Sequence, residues 1–303
     1  MEKIVILSIH GIGDAIMLTP MIQLLGEKRP GSKITVLTTL EGSKQIFESC
    51  PYISEIVKID RSFNNIGHKL KLFVSLMRRK FDVCLTGFSS NFVDNIFAGV
   101  IQAKYRIIHS HPMMKKVMGL SFTHNIRVAM NSNEHAVHQN LSLLKPLDIY
   151  HKNEANYNTR IWISKKDVTA SQKILKSHGV NEKEMLIGFH PGSSDEWGMI
   201  YKRWPKEKFA ELGNRLLTEY PDARLLLFGG LNEKRLRFDI YNMMNIKPIV
   251  IDGTTIREAA ALISKCNVFV SNDSGLMHVA AAMKTPTVAI FGPTNPVATS
   301  PYG

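Results

Sequence analysis

The feature that most constrains this chain is a repeated alternation. From one end of the sequence to the other, short apolar runs rich in β-branched residues are separated by longer stretches of helical periodicity. Strands spaced in this way pair in parallel, because a parallel neighbour is reached only through a crossover, and that crossover is usually a helix. In the first half the strand candidates are Ile4–Leu7, Lys33–Thr38, Ile56–Ile59, Val83–Thr86 and Tyr105–Ile108, with helices beginning near Ala15, Glu41, Ile66 and Asn91. Residues 109–133 carry no regular period, and a helix is expected from Glu134 to about Leu147. A second series offers strands at Leu186–His190, Arg224–Phe228, Ile249–Asp252, Val268–Ser271 and Thr287–Phe291. Helices are expected between them at Pro205–Glu219, Asn232–Met244, Ile256–Ser264 and Gly275–Met283. Pro205 suits a first helical position, and Thr255 with Glu258 reads as a capping box.

Two series imply two Rossmann-like, doubly wound α/β lobes, which 303 residues can supply with a core each. The division is expected after residue 152, giving lobes 1–152 and 153–303 joined near Ile149 to Asn158. Ligands are expected at the carboxyl ends of the strands, in a cleft that the lobes face. No apolar run reaches the roughly 20 residues of a spanning helix, and Met1-Glu2-Lys3 leads into no signal-type apolar core, so a cytoplasmic protein is expected. Cys50, Cys84 and Cys266 lie far apart in apolar segments, as reduced core thiols do. The net charge of +12 points to an anionic partner. It is spread over both halves without the basic stripe or aromatic motif of a nucleic-acid binder, and no nucleic-acid partner is expected.

Three stretches carry chemistry. In SIHGIGDAIMLTP, Ser8 to Pro20, Gly11 and Gly13 make a strand-to-helix turn, but Ile16 stands where a dinucleotide fingerprint needs its third glycine. Asp14 counts further against a bound pyrophosphate, since a carboxylate at a helix N-terminus occupies the place that the dipole offers to an anion. That position suits an ionised base; the plainer alternative is an ordinary N-cap. A nicotinamide-dependent dehydrogenase would need this turn for pyrophosphate and Glu41 for the ribose, which makes it the weaker reading. In the second stretch, Gly188 to Pro205, the hydroxyls of Ser193 and Ser194 followed by Lys202 and Arg203 resemble a phosphate grip, against the plainer alternative of a Gly-Ser surface loop. In the third, Ser271 to Thr294, the Asp273-Ser274-Gly275 turn opens a small-residue helix bearing His278. Backbone N–H groups there could take a diphosphate, and Asp273 could accept from hydroxyls; a capped core helix with a satisfied histidine is the plainer alternative.

Taken in order, five blocks resemble glycosyltransferase family 9, the group of ADP-heptose:lipopolysaccharide heptosyltransferases. They are GIGDAIMLTPMIQLL, the helix from His135 through Asn140, HPGSS followed by KRWP, FGGLNE at Phe228 to Glu233, and NDSGLMHVAAAMKTPTVAIFGPT. The resemblance implies a GT-B fold with the sugar nucleotide held by the second lobe and the acceptor entering from the first. It implies an inverting, metal-independent transfer of a heptose or related sugar from an ADP-sugar to a lipopolysaccharide core or similar anionic glycan, with no cofactor beyond the donor substrate. The family's base maps onto Asp14, and its donor contacts onto Ser193, Ser194, Lys202, Asp273, Ser274, Gly275 and His278. Seven residues separate Ser194 from Lys202, more than the family pattern has, and that pattern continues into a closing helix past the position of Gly303. No Asp-x-Asp pair, the usual metal-holding motif of the other major transferase fold, occurs in the chain. A protein that binds nucleotide sugars without transferring them is the alternative from outside enzymology. The helix bearing Lys69, Lys71, Arg78, Arg79 and Lys80 among Leu70, Leu72, Phe73, Leu76 and Met77 reads first as a sheet-packing helix with a solvated basic face. Its second reading is peripheral contact with an anionic glycolipid at the inner membrane surface.

Overall fold

The computed structural model describes the chain except residues 60–65, 88–91, 111–122, 132, 152–156, 182 and 195–199, and the side chains of 66–69, 92 and 93. It divides into two compact units, Met1–Thr159 and Arg160–Gly303.

The first unit is built on six parallel strands: β1 (Lys3–Ser8), β2 (Lys33–Thr38), β3 (Ile53–Lys58), β4 (Val83–Thr86), β5 (Tyr105–Ser110) and β6 (Ile126–Ala129). Their spatial order is β3-β2-β1-β4-β5-β6. The helices are α1 (Ile12–Lys28), α2 (Glu41–Phe47), α3 (Ile66–Arg78), α4 (Phe92–Ile101) and α5 (Ala136–Ser142). The central strands β1, β2 and β4 are buried along nearly their whole length, as strands covered by helices on both faces must be. Val5, Leu7 and Cys84 pack with Leu76 of α3 and Phe97 and Ala98 of α4 in one core cluster. The chain runs from β1 outward through β2 to β3 and then returns to β4 on the other side of β1. The polypeptide therefore parts between β1 and β4, and a crevice opens there at the strands' carboxyl ends.

Within α1, Pro20 removes the N–H that would bond to the carbonyl of Ile16. The Thr19 hydroxyl supplies that bond at 2.6 Å. Asn140 of α5 donates to the next carbonyl, that of Met17, at 3.0 Å, a bond that ties α5 to α1.

The second unit repeats the plan with β7 (Leu186–His190), β8 (Arg224–Leu227), β9 (Ile249–Val250), β10 (Val268–Asn272) and β11 (Thr287–Ile290), all parallel, in the order β11-β10-β7-β8-β9. Its helices are α6 (Lys165–Ser177), α7 (Lys206–Glu219), α8 (Lys234–Met243), α9 (Ile256–Ile263), α10 (Gly275–Ala282) and α11 (Pro296–Thr299). Here the crevice lies between β7 and β10, where the chain again reverses direction across the sheet.

Several expectations need correction. The stretch 109–133 contains β6, an edge strand pairing with β5 from Ile107↔Ile126 to Ser110↔Ala129. The helix expected over 134–147 ends at Ser142, because Pro146 cannot continue it; a 3-10 turn at Lys145–Leu147 and a left-handed Asp148 (φ 55°) close the segment. Helix α6 lies where none was expected, capped by Ser164, whose Oγ accepts from the Asp167 N–H while the Asp167 carboxylate accepts from the Ser164 N–H. Pro205 is the N-cap of α7, its ψ of 135° still extended, and Lys206 is the first helical residue. The capping box at Thr255 and Glu258 is present. All three cysteines are buried and outside any disulfide, and burial pushes their thiols up to about 11 at Cys50 and about 12 at Cys84 and Cys266. Among the described residues no helix is long and apolar enough to cross a membrane.

Candidate active site

In the first unit the turn after β1 sits over the crevice. Its backbone is held by two hydroxyls: Thr39, just after β2, donates to the carbonyl of Ile9 at 2.8 Å, and Ser43 of α2 to that of His10 at 3.2 Å. Helix α1 begins at Ile12 rather than near Ala15, with Gly11 as its N-cap. Asp14 is therefore the third helical residue, and its Oδ2 accepts from the Gly11 N–H at 3.1 Å. One donor that an N-terminus offers an anion is thus taken by the protein's own carboxylate. Asp14 thus caps α1 from its third position while Gly11 is the N-cap, so the plainer capping role is present beside that of a candidate base, and a carboxylate stands where a pyrophosphate would bind. Glu41, which a dehydrogenase would need for a ribose, is exposed at the start of α2 and paired with Lys58 at 2.6 Å and Lys44 at 3.4 Å.

Asp14 lines a small pocket with Leu7, Ser8, His10, Met17, Leu18, Gly87 and Asn140. The pocket lies at the β1/β4 parting, since Gly87 directly follows β4. A Cβ at Gly87 would stand 3.1 Å from Leu18 Cδ2, a tight approach to α1. Beside Asp14, the His10 ring is hydrogen-bonded through Nε2 to Oδ2 of the buried Asp94 on α4 at 2.9 Å. A carboxylate fixed behind an imidazole sets the ring's orientation.

In the second unit the crevice is denser. His190, the last residue of β7, is opposite Ser271 of β10 in register. Its Nδ1 lies 2.8 Å from Ser274 Oγ and its Nε2 3.2 Å from Glu233 Oε2. Ser271 and Ser274 share a hydroxyl contact at 3.0 Å. The Ser274 hydroxyl is thereby turned toward the sheet, and as N-cap of α10 it makes no side-chain cap bond. Among the described residues, the N-cap side chain therefore leaves the first-turn N–H groups of this eight-residue helix uncapped.

Around this turn, the loop after β7 is stitched to its neighbours. Asn272 donates to the carbonyl of Pro191 at 2.7 Å and accepts from the Trp204 N–H at 3.0 Å. Arg203 reaches the carbonyl and hydroxyl of Ser193 at 2.6 and 3.2 Å, so Ser193 is buried while Ser194 stays exposed. Lys202 forms an ion pair with Asp273 at 2.7 Å, and the Thr294 hydroxyl donates to the same carboxylate oxygen at 2.7 Å. The longer spacing before Lys202, of which residues 195–199 lie outside the described residues, has not carried it away from the turn. Gly275 opens α10, and His278 is buried at its fourth position.

Glu233 stands at the centre of this network. Burial alone would raise its pKa, but the His190 hydrogen bond and charge, the Gly230 N–H at 2.6 Å and the Arg203 charge hold it at about 2. A Cβ at Gly192 would overlap the Glu233 carboxylate, so a side chain at the glycine of HPGSS would displace that residue, 41 positions away, from its present place. Behind it, the fully buried Arg237 donates to the Ile251 carbonyl at 2.6 Å and to Asp252 at 2.5 Å, fixing the segment that carries Glu233.

The structure therefore gathers Ser193, Lys202, Asp273, Ser274, Gly275 and the start of α10 at one crevice, and sets Asp14 at the other. Sequence reading missed His10 with Asp94, and His190 with Glu233 and Arg203, as interacting groups. The partners of each histidine are 84 and 43 positions distant, and only the strand order brings them together.

Comparison with known proteins converges on one family. The profile of Glycosyltransferase family 9 (heptosyltransferase) matches residues 70–303. Lipopolysaccharide heptosyltransferase 2 of Escherichia coli is 27% identical, over 99% of this chain and 85% of its own length. Among solved structures, a glycosyl transferase family 9 protein of Veillonella parvula superposes with a TM-score of 0.83 at 27% identity, covering 99% of this chain and 83% of its own. The E. coli ADP-heptose lps heptosyltransferase II superposes with a TM-score of 0.77 at 25% identity, covering 99% and 88%.

Proposed function

The chain belongs to glycosyltransferase family 9, and from that premise we propose that it transfers a heptose from an ADP-sugar to a lipopolysaccharide core or similar anionic glycan, with inversion at the anomeric carbon and without a metal ion. The observation that carries the reading is Asp14, a half-buried carboxylate held by Gly11 at the switch point of the first sheet, lining a pocket at the strands' carboxyl ends.

In an inverting transfer the acceptor oxygen attacks the anomeric carbon as the bond to the leaving diphosphate breaks on the opposite side. Asp14 takes the proton from the acceptor hydroxyl as the new C–O bond forms. The leaving ADP gains negative charge, and the uncapped N–H groups of α10 with Lys202 stabilise it more strongly in the transition state than in the ground state. Lys202 passes from Asp273 to the diphosphate when the donor binds, while Thr294 keeps Asp273 partnered. Ser193, Ser194, Ser274, Gly275 and His278 complete the donor contacts. With a cation and a helix N-terminus serving the leaving group, no metal is required in the scheme. The acceptor would be lipid-anchored, so the enzyme works in the cytoplasm in peripheral contact with the inner membrane surface. A nucleotide-sugar-binding protein without transfer would use Asp14 only to cap α1.

The test is to incubate the enzyme with ADP-heptose and truncated lipopolysaccharide cores and determine product anomery by NMR, with and without EDTA. An inverted heptoside formed at equal rate in EDTA is expected. Transfer only from UDP-sugars, retention of configuration, or loss of activity in EDTA would each contradict the corresponding part of the proposal.

A further inference from the structure

Helix α3 has two apolar faces, and among the described residues only one of them is packed into the core. Leu72, Phe73 and Leu76 face inward; Leu76 is fully buried in the first unit's core, and the Phe73 ring packs on Phe97 with centroids 5.3 Å apart. On the other side Leu70, Val74 and Met77, at spacings of four and three, form a stripe that is 62, 37 and 48% exposed. An outward helix face of a globular domain is ordinarily polar. This stripe runs along a shallow groove lined by Lys71, Ser75, Arg78 and Arg79. Arg79 is held in a two-pronged pair with Glu55, whereas Lys71, Arg78 and Lys80 are exposed. From Ile66 to Lys80 the sequence contains no carboxylate, in a chain of net charge +12. The side chain of Lys69 lies outside the described residues.

We infer that the outer face of α3 docks on an anionic lipid bilayer, lying in the interface with Leu70, Val74 and Met77 among the acyl chains and Lys71, Arg78 and Lys80 against lipid phosphates. Aliphatic insertion plus basic flanks is the two-part signal that holds a helix at a charged membrane surface, where either part alone binds weakly. Nucleic acid would match the cations but leave the aliphatic stripe in water, since among the described residues no aromatic side chain lies on this face to stack a base. A second exposed stripe, Leu231 with Phe238 of α8, lacks the charge pattern: the Arg235 guanidinium lies over the Phe238 ring and is paired with Asp239 at 3.0 Å.

The inference deepens the peripheral-contact part of the proposed function, yet its test uses neither donor nor acceptor, so failure of one is distinguishable from failure of the other. The intact protein is sedimented with phosphatidylglycerol-containing vesicles and with pure phosphatidylcholine vesicles over a salt series. Binding is expected to the anionic vesicles alone and to weaken steeply between low and about 0.5 M salt. K71E with R78E should lower the partition coefficient at least ~30-fold at low salt. L70S with M77S should lower it roughly 10-fold at every salt concentration. Both double variants should keep the wild-type unfolding temperature and wild-type transfer to a water-soluble core acceptor, because the altered residues face solvent. F238S should bind vesicles as the wild type does. Equal binding to neutral vesicles, no binding to anionic ones, or loss of binding in F238S in place of the α3 variants would overturn the assignment.

Discussion

The two units share one architecture and use the same helix physics in opposite ways. Each has a crevice where its parallel sheet reverses direction, and at each crevice a helix points its N-terminus outward. In the first unit, α1 carries its own carboxylate: Asp14, inside the first turn, accepts from the N-cap N–H at the end of the helix dipole that favours an anion. In the second, α10 carries none; the Ser274 hydroxyl that would ordinarily cap it is turned to His190 and Ser271, and a lysine stands close by. In the proposed scheme one fold element thus supplies a base in one unit and an anion receptor in the other. The difference is a single charge placed inside the first turn in one case and withheld in the other.

Four alterations break or sharpen this contrast. Asp14→Asn removes the charge but leaves an amide oxygen to accept from Gly11, so the fold should persist while kcat falls roughly 10²- to 10⁴-fold, about 2.7 to 5.5 kcal/mol of barrier. Steady-state kinetics with saturating donor would show it. Ser274→Asp makes α10 resemble α1. An internal carboxylate about 4 Å from the donor diphosphate costs on the order of 3–4 kcal/mol at an effective dielectric near 20, so donor Kd should rise ~100-fold or more, as read by calorimetry. Lys202→Ala removes a cation that touches the phosphates before and during the reaction; donor KM should rise about 10-fold with a parallel loss in kcat, which distinguishes it from Asp14→Asn.

The smallest effect concerns acid stability. Burial pushes the His109 and His124 imidazoles down to about 4, with Arg106 and Arg127 adding to the shift at His124. Unfolded, both would titrate near 6.5, so the unfolded first unit binds protons that the folded one refuses. Its stability is full above pH 6.5 and declines as pH falls toward 4, by up to roughly 3 kcal/mol per histidine. Glu233 of the second unit has its pKa lowered instead, so its contribution is present above about 4.5 and is lost only as pH falls toward 2. At pH 5 a calorimetric scan should therefore show the first unit melting at a lower temperature than at pH 7, with the second little changed, and His109→Gln should flatten the first unit's pH slope.

How much of this was legible beforehand follows from burial and distance in sequence. The central strands were read almost to the residue, because a strand covered on both faces is an uninterrupted apolar run bounded by turns. Strand β6 escaped because an edge strand of four residues, Ile-Arg-Val-Ala, is half exposed and too short to show a period. Helix α6 escaped for a different reason. Its sequence is mostly polar, and the one local signal, Ser164 followed by Asp167, uses the less usual aspartate form of the capping box. At the site, Asp14 announced itself as a charge in a glycine turn, whereas nothing local marks Arg203 as the clamp on Ser193 or Glu233 as the partner of His190. Those pairings belong to the strand order, and a one-dimensional pattern carries them only implicitly.

The division of labour between the two helix termini is tested most directly by titrating ADP into wild-type, Asp14→Asn and Ser274→Asp proteins in one calorimetric series. Asp14→Asn should bind ADP within about twofold of wild type, since its carboxylate serves the acceptor, while Ser274→Asp should bind ~100-fold more weakly or not at all. If Asp14→Asn loses ADP binding, or Ser274→Asp retains it, the base and the diphosphate receptor have been assigned to the wrong ends of the molecule.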